Sequence, residues 1–322
     1  MTAVGPSASG LPDLRPSALR RGDAVAVVSP SSPVPVGRLE AGVAVLSSWG
    51  LRPREGRHAR AVHGHLAGTD AQRAADLNAA FRDPEVRAVW AARGGYGLTR
   101  LLDRLDWAAL AADPKLVIGF SDVTALLVAA RRRIGLAGIH GQFVGRLHLL
   151  DPRARQWLRD LLFAAPEAIN ATLTGARVVS GAGRVTGPLV GGNLAVLAAL
   201  AGTSDALAVH GCVVVLEEVN EPPYAVDRLL TQLLHSGGLD GARGILVGTA
   251  VGCEPAIGVP SATFDEVIVE RLGDLGVPML TGVPVGHCDQ QRALVHGGRV
   301  TLDATEGALE IVEGLPAATS PT

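Results

Sequence analysis

Short apolar runs alternate along the first half of the chain with segments whose apolar positions recur every three or four residues. Runs at Asp23–Val28, Val86–Ala92 and Lys115–Gly119 have the length and β-branched content of buried strands. Helical spacing is predicted over Arg38–Trp49, which Gly50 ends, and from Thr69 to Arg82, which Asp83-Pro84 closes. Leu51–Glu55 reads as a short strand and Leu98–Leu102 as a helical turn. From Asp122 onward Val123, Leu126, Leu127 and Ala130 fall on one helical face, and Arg131, Arg132 and Arg133 end that helix where cations suit its dipole. Strand and helix in this rhythm imply a parallel sheet covered by helices, with ligands held outside the carboxyl ends of the strands.

The pattern loosens between Ala137 and Gly183, where Ile139-His140-Gly141 reads as a loop and Arg153–Phe163 as a helix. It then resumes. Strands are predicted at Arg184–Val190, Gly211–Leu216, Gly244–Val251 and Val277–Thr281, and helices at Leu194–Leu200, Asp227–Leu234 and Thr263–Leu272. Gly191-Gly192-Asn193 reads as a tight turn, and Ala293–Asp303 as a hairpin-like segment. The expected division is a flexible leader at 1–20, an amino-terminal α/β domain at 21–165, a linker at 166–183, a carboxy-terminal domain at 184–315 and a tail at 316–322.

Composition narrows the class. The 322 residues suit two domains, with 48% hydrophobic and 19% charged residues. Balanced charge, 29 basic against 31 acidic residues, and an aromatic share of 3% give nucleic-acid binding no support. Every apolar stretch is broken by Gly, Pro or a charge, so no membrane span is expected. Cys212, Cys253 and Cys288 are sparse and form no C-x-x-C, which fits a reducing compartment; the first residues lack the pattern of a signal peptide, and a soluble cytoplasmic protein is the expectation.

Candidate chemistry lies at the ends of apolar strands. Ser121 stands between a strand and a helix, the geometry of a nucleophile elbow, although Ser and Asp are also ordinary helix caps and local sequence favours the cap. Arg93-Gly94-Gly95-Tyr96-Gly97 follows another strand. It is neither a dinucleotide fingerprint nor a Walker A loop, and its glycines could instead offer N–H groups to an oxyanion. Glu217 directly follows the buried run GCVVVL, and His287 follows GVPVG. Taken singly, a solvated strand-end acid and a loop histidine are common; with Ser121 they are the residue types of a nucleophile, base and orienter, in an order that by itself carries little weight. His63 and His65 invite a metal reading, but no neighbouring ligand completes a recognised set, and a polar loop is expected.

The motifs SPSSP, RGGYG, GFSD, GPLVGGNL, LEEVNEPPY followed by DRLLTQL, and PVGH occur in one order over about residues 20 to 303. This set resembles the LD-carboxypeptidase family, serine peptidases that include muropeptide carboxypeptidases and microcin C immunity peptidases. The resemblance implies a flavodoxin-like amino-terminal domain with a parallel sheet and a carboxy-terminal swivelling β/β/α domain. It also implies a Ser–Glu–His triad without metal or other cofactor, and a homodimer. On the matching positions Ser121 is the nucleophile, His287 the general base and Glu217 the orienting acid, with Glu218 its rival. The N–H of Asp122 and one from Gly94 or Gly95 correspond to the oxyanion hole, and Tyr96, Asn193, Glu221 and Tyr224 are candidate pocket residues. After His287 the segment CDQQRALVHGG departs from the family pattern, in which a small or polar run more often ends in Leu-Pro and glycine. The activity implied is release of a terminal D-amino acid, typically D-alanine, from a muropeptide. Cleavage of aminoacyl-nucleotides, a non-catalytic muropeptide-binding module and a nucleotide-dependent α/β enzyme are the alternatives.

Overall fold

A computed structural model describes residues 11–165, 168 and 171–317. Residues 1–10 of the expected leader, 166, 167, 169 and 170 of the linker, and 318–322 of the tail lie outside the described residues.

The first domain is built on β1 (Ala24–Val28), β2 (Arg52–Glu55), β3 (Val86–Ala91), β4 (Leu116–Gly119) and β5 (Gly138–His140). All five pair in parallel in the order β2-β1-β3-β4-β5. This is the doubly wound, flavodoxin-like order, in which chain direction across the sheet reverses between β1 and β3. Alternate residues serve opposite faces. Val25, Val27, Trp90 and Ile118 pack under α1 (Arg38–Ser48) and α5 (Pro152–Leu162), whereas Ala26, Val28, Val89 and Val117 pack under α2 (Asp70–Arg82), α3 (Trp107–Ala112) and α4 (Thr124–Ile134). Because both faces are covered, the central strands β1, β3 and β4 read as nearly continuous apolar runs, whereas β2, at the edge, is polar. Thr69 caps α2 in a reciprocal capping box with Gln72, so the polar signal at the start of that helix is an accurate one.

The second domain holds β6 (Thr172–Leu173), β7 (Arg177–Ser180), β8 (Arg184–Asn193), β9 (Val213–Val219), β10 (Gly244–Val251), β11 (Met279–Thr281), β12 (Leu294–His296), β13 (Arg299–Asp303) and β14 (Ala308–Ile311). Apart from β12 they form one sheet, ordered β6-β14-β13-β8-β9-β10-β11-β7. Its centre, β8 to β11, is parallel, and antiparallel strands flank it on both sides. One face is covered by α6 (Leu194–Leu200), α7 (Pro223–His235) and α8 (Phe264–Leu272); the other encloses Leu189, Val213, Leu246, Leu280, Leu302 and Ile311.

The structure differs from the sequence reading where pairing, not local pattern, makes the element. Gly138–His140, read as part of a loop, is a strand because β4 offers it a parallel partner. The hairpin expected over Ala293–Asp303 is split: β12 crosses to pair with β5 of the first sheet, while β13 pairs with β8 and β14 of the second. Part of the expected linker supplies β6 and β7, the two edges of the second sheet. The described part of the leader is pinned, with Leu14 bridging Leu136 and Asp13 in ion pairs with Arg15 (2.7 Å) and Arg131 (2.5 Å).

Helix α4 is the element on which the domains meet. Seven successive residues, Thr124 to Ala130, are buried, because the helix is enclosed by the first sheet on one side and by α6 and β8 on the other. At its end Arg133 forms a two-toothed ion pair with Asp205 of the second domain, Nε to Oδ1 and Nη2 to Oδ2 both at 2.6 Å. Residues from the second domain are thereby carried up to the turn that precedes α4.

Candidate active site

Ser121 occupies the turn between β4 and α4 at φ 55°, a left-handed conformation that costs a non-glycine residue about 1 kcal/mol or more. Neither Ser121 nor Asp122 caps the helix that follows; no side-chain cap bond is present at Phe120 or Val123, and the Asp122 carboxylate is turned elsewhere. The capping explanation of this serine therefore fails. What remains is a serine with a strained backbone just past the carboxyl end of a parallel strand, opening a single 3₁₀ turn (Ser121–Val123).

His287 and Glu217 come from the second domain. Glu217 lies on β9, its side chain fully buried, and its Oε2 is 2.7 Å from His287 Nδ1. Held through Nδ1, the ring turns its Nε2 away from the acid. The ring packs at a tilt of 55° against Phe120, the residue before Ser121, with centroids 4.7 Å apart. Gly286 has φ 109°, and a Cβ there would stand 2.6 Å from Glu217 Oε2, so only glycine lets the loop bring His287 onto this acid. Buried Gln291, in the segment that departs from the family pattern, donates to the Gly286 carbonyl at 2.8 Å and supports the same loop.

Adjacent Glu218 has a different place. It accepts from Asn193 Nδ2 at 2.9 Å and from the Ala195 and Val219 amides at 2.8 Å each, at the start of α6. Burial pushes its carboxyl pKa up, against the lowering effect of these donors. Asn193 is consumed by the same junction, since its Oδ1 caps α6 through the Val196 amide. Of the other candidate pocket residues, Tyr96 is half exposed beside His65 at 5.8 Å, Glu221 is half-buried, and Tyr224 is exposed with Arg228 over its ring.

The glycine loop after β3 lies beside this turn. Gly95 has φ 114° and abuts the Ser32 side chain, and Gly94 faces the end of Phe143, which stacks on Phe120 at 4.4 Å. The loops after β1 and β3 flank the point where strand order reverses, as ligand loops do in such sheets. Sequence reasoning missed Ser31, Arg73 and Phe120. Arg73 is fully buried, yet in sequence it is an ordinary arginine on an amphipathic helix. Among the described residues no cluster of His, Cys, Asp and Glu is arranged to hold a metal, and no helix is long and apolar enough to cross a membrane.

Two family models match the chain: the LD-carboxypeptidase N-terminal domain over residues 25–141 and the LD-carboxypeptidase C-terminal domain over 186–302. The chain belongs to the LD-carboxypeptidase family. Both domains of that family are thus present, and they correspond to the two sheets described above. A putative carboxypeptidase of Streptomyces coelicolor is 44% identical over 314 residues, covering 96% of this chain and 98% of that one. The murein tetrapeptide carboxypeptidase of Pseudomonas aeruginosa is 38% identical, covering 87% of this chain and 92% of its own. Among solved structures, the muramoyltetrapeptide carboxypeptidase from Oxalobacter formigenes matches with a TM-score of 0.81 and 29% identity over 91% of this chain and 100% of that one. MccF in complex with glutamyl sulfamoyl guanosine matches with a TM-score of 0.84 at 22% identity, over 94% and 100% of the two chains, a likeness of fold. As an LD-carboxypeptidase family member the chain is a hydrolase of peptidase type.

Proposed function

We propose that this protein is a serine carboxypeptidase that hydrolyses the amide bond between an L-configured centre and the terminal D-alanine of a muropeptide. Ser121 Oγ attacks the carbonyl carbon and His287 Nε2 takes its proton. The amides of Asp122 and of Gly94 or Gly95 stabilise the tetrahedral oxyanion, and the protonated histidine then gives its proton to the departing amine of D-alanine. Water, deprotonated by His287, cleaves the acyl-enzyme to free the shortened peptide and restore Ser121. Glu217 holds the ring in the tautomer that leaves Nε2 free to accept.

The observation that carries this reading is the 2.7 Å Glu217–His287 pair packed on Phe120, immediately before a serine at positive φ. The murein peptide carboxypeptidase relatives favour the muropeptide as substrate. Cleavage of an aminoacyl-nucleotide would use the same three residues and calls for an aromatic platform under the base. All four tryptophans are engaged in other contacts. Trp49 and Trp90 are core residues packed on each other, and the indole N–H groups of Trp107 and Trp157 donate to the Leu102 and Ala293 carbonyls. Incubation with a muropeptide tetrapeptide and, in parallel, with an aminoacyl-sulfamoyl nucleoside separates the two. Release of D-alanine from the first and no cleavage of the second is expected; the reverse pattern would overturn the muropeptide reading.

A further inference from the structure

The proposed oxyanion donors sit on loops from separate strands, and these loops are fastened to each other and to the neighbour of the nucleophile. Ser32, after β1, donates its amide to the Gly94 carbonyl at 3.2 Å and accepts the Tyr96 amide on its hydroxyl at 3.3 Å. Arg93 reaches back to the Pro33 carbonyl at 2.6 Å. Deeper, a single oxygen of Asp122, Oδ2, accepts from Ser31 Oγ at 2.5 Å and from the Leu98 amide at 2.9 Å. One carboxylate therefore grips the loop after β1 and the far end of the glycine loop at once.

Arg73 supports this arrangement from α2. Its buried guanidinium donates to the Pro30 carbonyl and, at 3.0 Å, to the Gly97 carbonyl, while Asp70 binds it at 2.6 Å and also accepts from Arg100 at 2.9 Å. The carboxylate and the guanidinium thus hold the same two loops, one through donors and the other through carbonyls. Burial pushes the Asp122 carboxyl pKa up, opposed by the bonds from Ser31, Leu98 and Gly97 and by the charge of Arg73. A carboxylate is costly at a buried site unless its hydrogen bonds are met, and this one does not cap the helix it precedes.

We infer that the Asp122 side chain, with Ser31 and Arg73, is a positioning device that holds the Gly94–Gly95 amides in register with Ser121. This rests on the proposed serine chemistry but assigns a role to side chains outside the triad. A shift of the glycine loop by about 1 Å removes roughly 100-fold in rate, because oxyanion donors act on charge that develops only in the transition state.

The test compares native protein with Asp122→Ala, Asp122→Asn and Ser31→Ala, each normalised to the fraction of serine that reacts with a phosphonate. Asparagine can present an oxygen to both Ser31 and Leu98, so it is the conservative variant. Expected results are a kcat about 100-fold lower in Asp122→Ala with KM nearly unchanged, and a peptide boronate, which mimics the tetrahedral adduct, weakened by a similar factor. Ser31→Ala should fall between this variant and the native enzyme, and Asp122→Asn should recover most of the loss. Full kcat in Asp122→Ala, or a loss of kcat with unchanged boronate affinity, overturns the inference. If Asp122→Ala does not fold, Asp122→Asn and Ser31→Ala decide it by the same comparison. A native enzyme that binds the boronate but releases no D-alanine would instead refute the substrate reading, and the boronate series would still judge the positioning role.

Discussion

Glutamine substitutions at the two adjacent acids, Glu217 and Glu218, should have opposite consequences although both side chains are buried. Glu217 makes one polar contact that matters to chemistry, 2.7 Å from His287 Nδ1. Glutamine keeps the shape, but an amide can present N–H to Nδ1 and favour the wrong tautomer. Conversion of the orienting acid to its amide in a serine triad lowers kcat by about 10⁴-fold while leaving the geometry intact. Glu218 instead satisfies three donors, Asn193 Nδ2 and the amides of Ala195 and Val219. A glutamine oxygen can retain two of these, and its NH₂ then faces the third donor. Leaving that group unsatisfied costs about 1–3 kcal/mol, or a fall in Tm of roughly 2–10 °C for a unit of this size. The assay is D-alanine release alongside a thermal melt for each variant. Glu217→Gln is expected to melt near the native temperature and to be nearly inactive; Glu218→Gln to melt lower and to keep a kcat close to native when assayed well below its Tm. An active Glu217→Gln beside an inactive, folded Glu218→Gln would refute the assignment.

Gly286→Ala places a Cβ 2.6 Å from Glu217 Oε2 at a backbone φ of 109°, so the His287 loop must shift. A kcat reduction of about 100-fold with phosphonate labelling slowed in parallel is expected, and an unimpaired enzyme would show that the loop is not held by this close approach. Burial, with the charges of Arg131 and His140, lowers the His296 pKa from 6.5 to about 3. The folded protein keeps this ring neutral while the unfolded chain takes up a proton below its ordinary pKa, so stability is present above about pH 6.5 and is lost as pH falls toward the folded value. Near pH 5 the loss amounts to about 2 kcal/mol, and His296→Gln, which can still accept from the Gly191 amide, should flatten that slope in melts taken from pH 7 to pH 5. An unchanged slope would show that another group governs acid sensitivity.

Much of the fold was legible because the central strands of the first sheet, β1, β3 and β4, are buried on both faces and therefore appear as almost uninterrupted apolar runs, unlike the polar edge strand β2. Gly138–His140 escaped because three residues carry too little pattern, and it is a strand only because β4 lies alongside; Leu294–His296 fell within the expected hairpin, but its pairing with β5 rather than with β13 has no local signal. Of the site, Ser121, Glu217 and His287 are visible as polar residues that follow apolar runs, but only Ser121 stands past a strand end: β9 continues through Glu217 to Val219, and His287 lies in a loop six residues beyond β11. The choice between Glu217 and Glu218 was not legible, since adjacent strand residues face opposite sides of the sheet and the sequence does not say which side carries His287. Arg73 was hidden for another reason: its burial depends on carbonyls of Pro30 and Gly97, contributed by two other segments.

The central claim, that Ser121 is the nucleophile of a muropeptide carboxypeptidase, is tested most directly by intact-mass and D-alanine measurements on the native protein and Ser121→Ala. Native protein should gain the mass of one phosphonate at Ser121, lose D-alanine release in step with that labelling, and free one D-alanine per tetrapeptide when unlabelled, whereas folded Ser121→Ala should neither take up the phosphonate nor release D-alanine. D-alanine release that persists in Ser121→Ala, or phosphonate incorporation at another residue with loss of activity, would contradict the claim.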